Sequence, residues 1–198
     1  MTQDSQTQSL LQDAQLLRRQ GETKKAIDVY KKVLEISAES IIALNEMGLA
    51  RIHNGEQEQA LDLFSRAIEV APEDPRGYVN MTEAYLTIGD FENALNVSNR
   101  GLERIDDEAD LWKKKARALE SLMRIDDAIE AFQMALEIDS EDPETWKALA
   151  LCMDAKAKWE EVGRAYRIAA KLHQKRGENR DAESCLRFAE MAEETLEE

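Results

Sequence analysis

The sequence predicts an all-α protein, an α-solenoid of stacked antiparallel helical hairpins. Three observations support this fold class. The 198 residues include three prolines and eight glycines, too few for a loop-rich β protein. Charged residues make up 34% of the chain and aromatic residues 6%, a composition typical of amphipathic helices with solvated outer faces. Small and aromatic residues also recur every 34 positions, which indicates a structural repeat.

The repeat is visible as columns of residues that keep the same spacing. The column of small residues consists of Ala26, Ala60, Ala94 and Ala128. Four residues after each alanine stand Tyr30, Phe64, Ser98 and Phe132. Five residues before each alanine stand Gly21, Gly55, Gly89 and Met123. Because several columns repeat together without gaps, the chain is predicted to consist of successive copies of one unit.

Each unit contains two helices joined by a tight turn. In the second unit, apolar and small residues follow the i, i+3, i+4 spacing of a helix face, beginning at Leu44 and again at Ala60. Gly55 lies between these runs, where a glycine ends a helix in the left-handed conformation. Pro75 and Pro143 open the third and fifth units, and the preceding Asp74 and Asp142 are predicted to cap those helices.

The column order resembles the tetratricopeptide repeat family. The first helix of the third unit reads Tyr78-x2-Met81-Thr82-x2-Tyr85, and the second helix of the second unit reads Gly55-x4-Ala60-x3-Phe64-x2-Ala67-x4-Pro72. The resemblance covers about residues 7–176. It implies a right-handed superhelix whose concave face is lined by the first helix of each hairpin and binds other proteins.

The resemblance also predicts how the chain is divided. Residues 1–6 are expected to form a disordered tail. Five hairpins are expected to follow, at 7–40, 41–74, 75–108, 109–142 and 143–176, with a capping helix at 177–198. The glycine–alanine signal returns early at Gly177 and Ala182, so one long helix over residues 159–176 is expected to close the fifth hairpin and pack on the last helix. An alternative role for that last helix is a dimer contact through Phe188 and Met191.

The residues predicted to line a peptide-binding groove are those that lie off the packing stripe of the first helices. They are Ile42, Asn45, Leu49, Val79, Asn80, Lys113, Lys114, Arg117 and Lys147. The apolar members are expected to anchor a bound segment, and the basic members to attract its acidic groups. Two alternatives stay open: neighbouring helices bury the apolar residues, or the basic run balances the acidic residues that precede it.

One subset of the family holds the C-terminal carboxylate of chaperone tails with Lys, Asn, Asn, Lys and Arg. The matching positions here are Asn45, Leu49, Asn80, Asp110 and Lys114. Two of them fit, Asn80 and Lys114, and lysine lacks the bidentate fork of arginine. Chaperone-tail binding is therefore not predicted.

Residue patterns for catalysis, metal binding or cofactor binding are not found in the sequence. His53 and His173 are the only histidines, and neither they nor Cys152 and Cys185 have metal-ligand spacing. The two cysteines fall on apolar stripes and are interpreted as buried thiols in a reducing compartment. We therefore predict no catalytic residue, no metal and no cofactor, and a chain that is not an enzyme.

The charge and hydropathy of the chain limit its partners. Its net charge of −15 disfavours nucleic acids and anionic membranes, and no apolar run reaches the roughly 18 residues of a membrane span. The first residues carry no secretory signal pattern, so the cytoplasm is the expected location. The sequence thus predicts a protein–protein interaction adaptor. The alternative is a self-assembling structural subunit that dimerises through its C-terminal helices.

Overall fold

The computed structural model describes residues 3–197, and this range contains eleven α-helices and no β-strand. The helices are α1 (Gln3–Arg19), α2 (Thr23–Ile36), α3 (Ile41–His53), α4 (Gln57–Val70), α5 (Pro75–Ile88), α6 (Phe91–Leu102), α7 (Ala109–Ser121), α8 (Ile125–Ile138), α9 (Pro143–Asp154), α10 (Trp159–Lys175) and α11 (Asn179–Glu197). The predicted all-α fold class is confirmed.

The helices belong to two compact units. Unit 1 comprises Met1–Asp90 and Glu103–Ile105, and unit 2 comprises Phe91–Leu102 and Asp106–Glu198. In unit 1, α1 packs on α2, α2 on α3, and α3 on α4. In unit 2, α7 packs on α8, α9 on α10, and α10 also on α11. Within each unit, helices adjacent in sequence are therefore packing neighbours, as expected for short connections between antiparallel helices.

The N-terminal helix begins earlier than the sequence predicted. Helix α1 starts at Gln3, so residues 3–6, expected in the tail, are helical, while residues 1 and 2 lie outside the described range. Asp4 lies in the first turn, where a negative charge stabilises the positive end of the helix dipole. The segment Gln3–Arg19 also contains neither glycine nor proline to end the helix.

The alanine column lies at the centre of the packing. Ala26, Ala60, Ala94 and Ala128 are completely buried. The residues four positions later are buried as well, including Ser98, which stands where three other repeats have an aromatic ring. The Ser98 Oγ donates a hydrogen bond of 2.9 Å to the Leu95 carbonyl, so this polar group is satisfied inside the core.

The turn within each hairpin keeps one backbone geometry even where glycine is replaced. Gly55 has a φ angle of 80°, and the equivalent Met123 and Ala157 have φ angles of 59° and 54°. A left-handed conformation is unfavourable for residues that carry a Cβ. The hairpin connection therefore imposes this geometry on Met123 and Ala157.

Side chains at the helix starts confirm the predicted caps. Asp74 accepts a hydrogen bond from the Arg76 backbone N–H, and Asp142 accepts one from the Glu144 backbone N–H. The Trp146 indole N–H donates to the Ser140 carbonyl at 2.9 Å. These contacts fix the loops that lead into the first helices of the hairpins.

Two glycines within helices allow close helix approach. A Cβ atom at Gly48 would lie 2.7 Å from Cζ of the buried Phe64 ring. A Cβ atom at Gly77, which matches no glycine column of the repeat, would lie 2.8 Å from Cγ1 of Ile68. Gly77 is therefore a close-packing glycine, although the periodic pattern did not identify it as one.

Candidate functional site

The nine predicted groove residues lie on four helices, with five residues in unit 1 and four in unit 2. The unit 1 set forms what we call the amide face, which consists of Ile42, Asn45 and Leu49 on α3 and Val79 and Asn80 on α5. The unit 2 set consists of Lys113, Lys114 and Arg117 on α7 and Lys147 on α9.

Two asparagines of the amide face are hydrogen-bonded to each other. Asn80 donates from Nδ2 to the Asn45 Oδ1 over 2.8 Å, which links α5 to α3. Asn45 in turn donates from Nδ2 to the Ile41 carbonyl over 3.0 Å. Asn45 is 3% exposed. It is therefore buried, although the sequence predicted that it would line the groove. It supports Asn80, whose side chain is partly exposed.

The apolar members of the amide face differ in exposure. Ile42 is 41% exposed, whereas Leu49 and Val79 are partly buried. Leu49 packs against the core cluster that includes Phe64 and Ala84. Of the three expected anchors, Ile42 thus presents the largest apolar surface, and helix packing covers part of the other two.

Charged groups near the amide face form pairs that the sequence did not suggest. Glu46 accepts from Arg18 at 3.1 Å and from the Tyr30 hydroxyl at 3.5 Å. Burial and the Glu46 carboxylate raise the pKa of Tyr30 to about 12, so its hydroxyl keeps its proton at neutral pH. Glu46, Arg18 and Tyr30 come from three different helices, and no sequence spacing would have brought them together.

In unit 2, a cleft lies between α7 and the start of α9. Its volume is about 250 Å³. We call it the cationic cleft, and its lining residues are Asp110, Lys113, Lys114, Arg117, Phe132, Asp142, Glu144, Thr145 and Ala148. Three of the four basic residues predicted for the site therefore share one concavity, and Lys147 does not line it.

The charge of Lys113 is balanced within the protein. Its ammonium group lies 2.6 Å from Asp110 and 3.2 Å from Asp142. Burial acts to lower the pKa of Lys113, but hydrogen bonds to these two carboxylates raise it above its ordinary value. For Lys113, the alternative of a cation balanced by nearby acids agrees with the structure.

Lys147 is also paired. It donates to Glu144 at 2.9 Å, and this bond outweighs partial burial and raises the pKa of Lys147.

Lys114 and Arg117 line the cleft three residues apart on α7, so they add two positive charges to the same wall. Lys114 and Arg117 thus share the cationic cleft with Lys113 and with the acidic residues of its lining.

A larger cavity of about 560 Å³ lies in unit 2 among α6, α7 and α8, and no sequence pattern indicated it. Its wall includes Trp112, and the Lys115 ammonium lies 4.7 Å from the centre of that ring. Burial and the neighbouring Arg124 lower the pKa of Lys115. The contact between the Lys115 ammonium and the Trp112 ring explains how a lysine is accommodated at an apolar column of the repeat.

Reactive chemistry is limited in the described residues. Cys152 and Cys185 are buried free thiols, as predicted, and burial raises the pKa of Cys152 to about 11, which keeps it protonated. Within residues 3–197, no group of three or more His, Cys, Asp or Glu side chains could hold a metal ion. Over the same range, no helix combines the length and apolar character that crossing a bilayer requires.

Comparison with known proteins gives matches to one kind of repeat. Tetratricopeptide repeat models match residues 11–76, 51–118 and 109–152. No curated protein matches the chain.

Among solved structures, that of MamA has a TM-score of 0.73 at 20% identity, covering 83% of this chain and 96% of that one. A thermophilic TPR protein of Thermus thermophilus has a TM-score of 0.71 at 21% identity, covering 91% of this chain and 98% of its own. YrrB is described as a TPR protein with an unusual peptide-binding site. Its structure has a TM-score of 0.64 at 18% identity, and the match covers 83% of this chain and 85% of YrrB. These likenesses show a shared fold.

Proposed function

Since the chain belongs to the tetratricopeptide repeat family, we propose that it is a protein–protein interaction adaptor that binds a peptide or helical segment of a partner protein. The observation that carries this proposal is the hydrogen-bonded pair of Asn45 and Asn80, together with the exposed Ile42 on the same helix as Asn45. The fold is compatible with many functions, so the proposal rests on this face.

The amide of Asn80 suits the backbone of a bound segment. A side-chain amide has two N–H donors and an oxygen with two lone pairs. The bond to Asn45 uses one donor and fixes the plane of the Asn80 amide, since Asn45 is itself bonded to the Ile41 carbonyl. A peptide backbone offers both N–H and C=O groups, and Ile42 adds an apolar contact for a neighbouring side chain.

The cationic cleft supplies the second element of the proposal. Lys114 and Arg117 line a concavity of about 250 Å³, large enough for a single side chain rather than for a whole cofactor. We infer that an acidic side chain of the partner enters this cleft. The lining holds three acidic and three basic side chains, and Lys114 and Arg117 lie three residues apart on α7, so we expect the acidic group to bind at that part of the wall.

The same features favour proteins over other partners and binding over catalysis. A surface of net charge −15 repels phosphate backbones and anionic lipid headgroups. We therefore propose protein or peptide partners, with no nucleic acid and no membrane. A cytoplasmic location and the lack of enzymatic activity are further proposals, which rest on the sequence patterns alone. The peptide-binding site described for YrrB gives independent support for peptide recognition on this fold.

Self-assembly through the C-terminal helices is the second candidate function. Phe188 stacks on Tyr166 with ring centres 5.2 Å apart, yet it is 48% exposed, and Met191 is 59% exposed. Exposed large apolar side chains on the last helix favour a contact with a second copy. Sedimentation at several protein concentrations separates the candidates, because dimerisation makes the apparent mass rise with concentration.

The experiment that tests the adaptor is capture from a native lysate with matched variants, with captured segments mapped by cross-linking and mass spectrometry. Ile42→Ala with Asn80→Ala removes the amide-face contacts, and Lys114→Glu with Arg117→Glu reverses the charge of the cationic cleft. Lys24→Glu with Lys171→Glu, at two exposed lysines outside both faces, reverses the same number of charges and is the matched control. We expect both double variants to lose a partner that the wild type and the control retain. Equal capture by all four proteins would refute the proposed faces.

A further inference from the structure

The cavity of about 560 Å³ among α6, α7 and α8, which we call the α6–α8 cavity, shares no lining residue with the cationic cleft. Its volume is more than twice the 250 Å³ of that cleft, so it has room for more than one large side chain. Its floor is apolar and comes from three helices, with Leu95 on α6, Trp112 and Leu119 on α7, and Ala131 and Met134 on α8. Met134 is 38% exposed, so part of this apolar surface reaches solvent.

The repeat explains why an apolar wall is open at this point. Lys115 occupies the column in which the second, third and fifth units carry Met47, Met81 and Leu149. A lysine keeps its ammonium group out of an apolar interior, and here that group lies 4.7 Å from the centre of the Trp112 ring. Lys115 therefore lines the cavity instead of filling a core position as an apolar residue would.

Two carboxylates stand at the mouth of the α6–α8 cavity. Glu130 and Glu137 line it, are exposed, and are seven residues apart on α8, with Met134 between them. Residues seven apart lie on the same face of a helix, separated by about 10.5 Å along its axis. Arg124 already pairs with Asp127, and the whole lining holds three acidic and two basic side chains, so an excess of negative charge remains.

The exposed face of α11 has the complementary pattern. Phe188 and Met191 are 48% and 59% exposed, and Arg180 and Arg187 are exposed as well. Met191 follows Arg187 by four residues, and Arg187 follows Arg180 by seven, so these side chains share one side of the helix. The spacing of the two arginines along the helix axis therefore equals that of the two glutamates at the cavity mouth.

We propose that α11 of one copy of the protein docks into the α6–α8 cavity of a second copy. The two apolar side chains of α11 cover the floor of the cavity, while Arg180 and Arg187 pair with Glu130 and Glu137. Arginine suits this contact because its guanidinium group binds a carboxylate through two parallel hydrogen bonds. Within one copy α11 packs on α10, so its exposed face is available to another chain. The proposal rests on the second candidate function, self-assembly through the C-terminal helices, and names the surface that receives them.

The contact joins two different surfaces, so it differs from a symmetric dimer. When α11 of one copy fills the cavity of another, the pair still has one unused helix and one unused cavity. Assembly therefore continues beyond the dimer as a ring or an open chain. A symmetric contact of α11 with α11 would stop at the dimer instead.

Charge reversal on each side, followed by sedimentation of the full chain at several concentrations, tests the docking. Glu130→Arg with Glu137→Arg reverses the cavity mouth, and Arg180→Glu with Arg187→Glu reverses α11. We expect the wild type to form species larger than a dimer. Each double variant alone should need about a tenfold higher concentration for the same association, because like charges then face each other. An equimolar mixture of the two should regain association, since the helix of each variant matches the cavity of the other.

The second hairpin provides a matched control at the same columns of the repeat. Asp62→Arg with Glu69→Arg reverses two exposed acids seven residues apart on α4, where Arg66 occupies the column of Met134. This variant should associate like the wild type. All the substituted side chains are exposed, so each variant should keep its fold, which circular dichroism verifies.

The outcomes separate this docking from the self-assembly on which it rests. Wild-type association in the cavity variant, with loss in the α11 variant, would overturn the docking and leave self-assembly through α11 standing. A mixture of the two variants that associates no better than either alone would also overturn it. A wild type that stays monomeric at every concentration would refute both the docking and self-assembly.

Discussion

Asn80 and Asn45 are 35 residues apart and are joined by a hydrogen bond of 2.8 Å that links α5 to α3. Asn45 is anchored at the same time to the Ile41 carbonyl in its own helix. A chain of two hydrogen bonds therefore extends from the backbone of α3 to the side chain of Asn80. Because Asn45 is buried, replacing it leaves the Asn80 donor without its partner.

The first prediction concerns the coupling between these two residues. Asn45→Ala and Asn80→Ala should each lower the free energy of unfolding by about 1–2 kcal/mol, because each leaves a polar group of the other unpaired. The double variant should be less destabilised than the sum by about 1 kcal/mol. Urea unfolding followed by circular dichroism measures all four proteins, with the exposed Asn96→Ala as control. A coupling energy near zero would show that the bond does not contribute in solution.

The second prediction uses two glycines in different surroundings. Gly48→Ala should destabilise the protein by about 1–3 kcal/mol, because the new methyl group overlaps the buried Phe64 ring. Gly163→Ala is the matched control: its Cβ would be 3.5 Å from the nearest atom, an ordinary contact. Alanine at 163 should stabilise α10 by about 0.5–1 kcal/mol through helix propensity. Thermal unfolding of the two variants should move in opposite directions, and a loss of stability in both would contradict this account.

The sequence predicted the elements that depend on local and periodic patterns. The alanine column marks buried positions, Asp74 and Asp142 cap their helices, and the cysteines lie in the core. Each of these follows from residues within one repeat. The 34-residue repeat was therefore sufficient to predict the fold class.

The details of the site depend on contacts between repeats, and the sequence could not supply them. Lys113 belongs to a run of three lysines, but Asp142, which pairs with it, is 29 residues away and approaches only when the chain folds so that the start of α9 lies near α7. Asn45 lies off the apolar stripe of α3, yet it is buried and holds Asn80. Gly77 fits no glycine column, and the residue that requires a glycine there, Ile68, belongs to the preceding hairpin.

The third prediction concerns the turns that lack glycine. Met123 has a φ angle of 59° and a side chain that is 79% exposed, so Met123→Gly relieves backbone strain without removing core contacts. We expect stabilisation of about 0.5–1 kcal/mol, the left-handed penalty less the extra chain entropy of glycine. The reverse change, Gly55→Ala, should destabilise by about 1 kcal/mol, because no atom within 4 Å offers a compensating contact. Calorimetric unfolding tests both, and an unchanged or lower melting temperature for Met123→Gly would argue against strain.

The fourth prediction concerns thiol reactivity. Burial raises the pKa of Cys152 to about 11 and raises that of Cys185 as well, so the thiolate forms are scarce at pH 8. Both cysteines should react slowly with an aromatic disulfide reagent in the native protein and rapidly in urea, which exposes them. Rapid reaction of either thiol in the native state would mean that its helix opens readily under these conditions.

The last prediction is a pH dependence at the start of α9. Asp142 caps this helix, accepts a hydrogen bond of 2.7 Å from the Thr145 hydroxyl and pairs with Lys113. Burial acts to raise the pKa of Asp142, but the hydrogen bonds from Thr145 and Lys113 hold it below its ordinary value. A carboxyl group with a lowered pKa stabilises the folded state above its ordinary pKa, and this stabilisation is lost as the pH falls through the folded-state value.

Asp142→Asn should therefore be less stable than the wild type by about 1–2 kcal/mol at pH 7, through loss of the charge-assisted hydrogen bonds from Lys113 and Thr145, since asparagine caps a helix about as well as aspartate. The difference should begin to shrink as the pH falls below about 4, where the carboxyl group of the unfolded chain takes up a proton, and it should be lost once the pH falls below the lowered pKa of the folded protein. Urea unfolding at pH 7, 5, 4 and 3 measures this trend, with the exposed Asp62→Asn as a control for general charge effects. A gap that stays constant down to pH 3 would mean that Lys113 and Thr145 do not stabilise the charged form of Asp142.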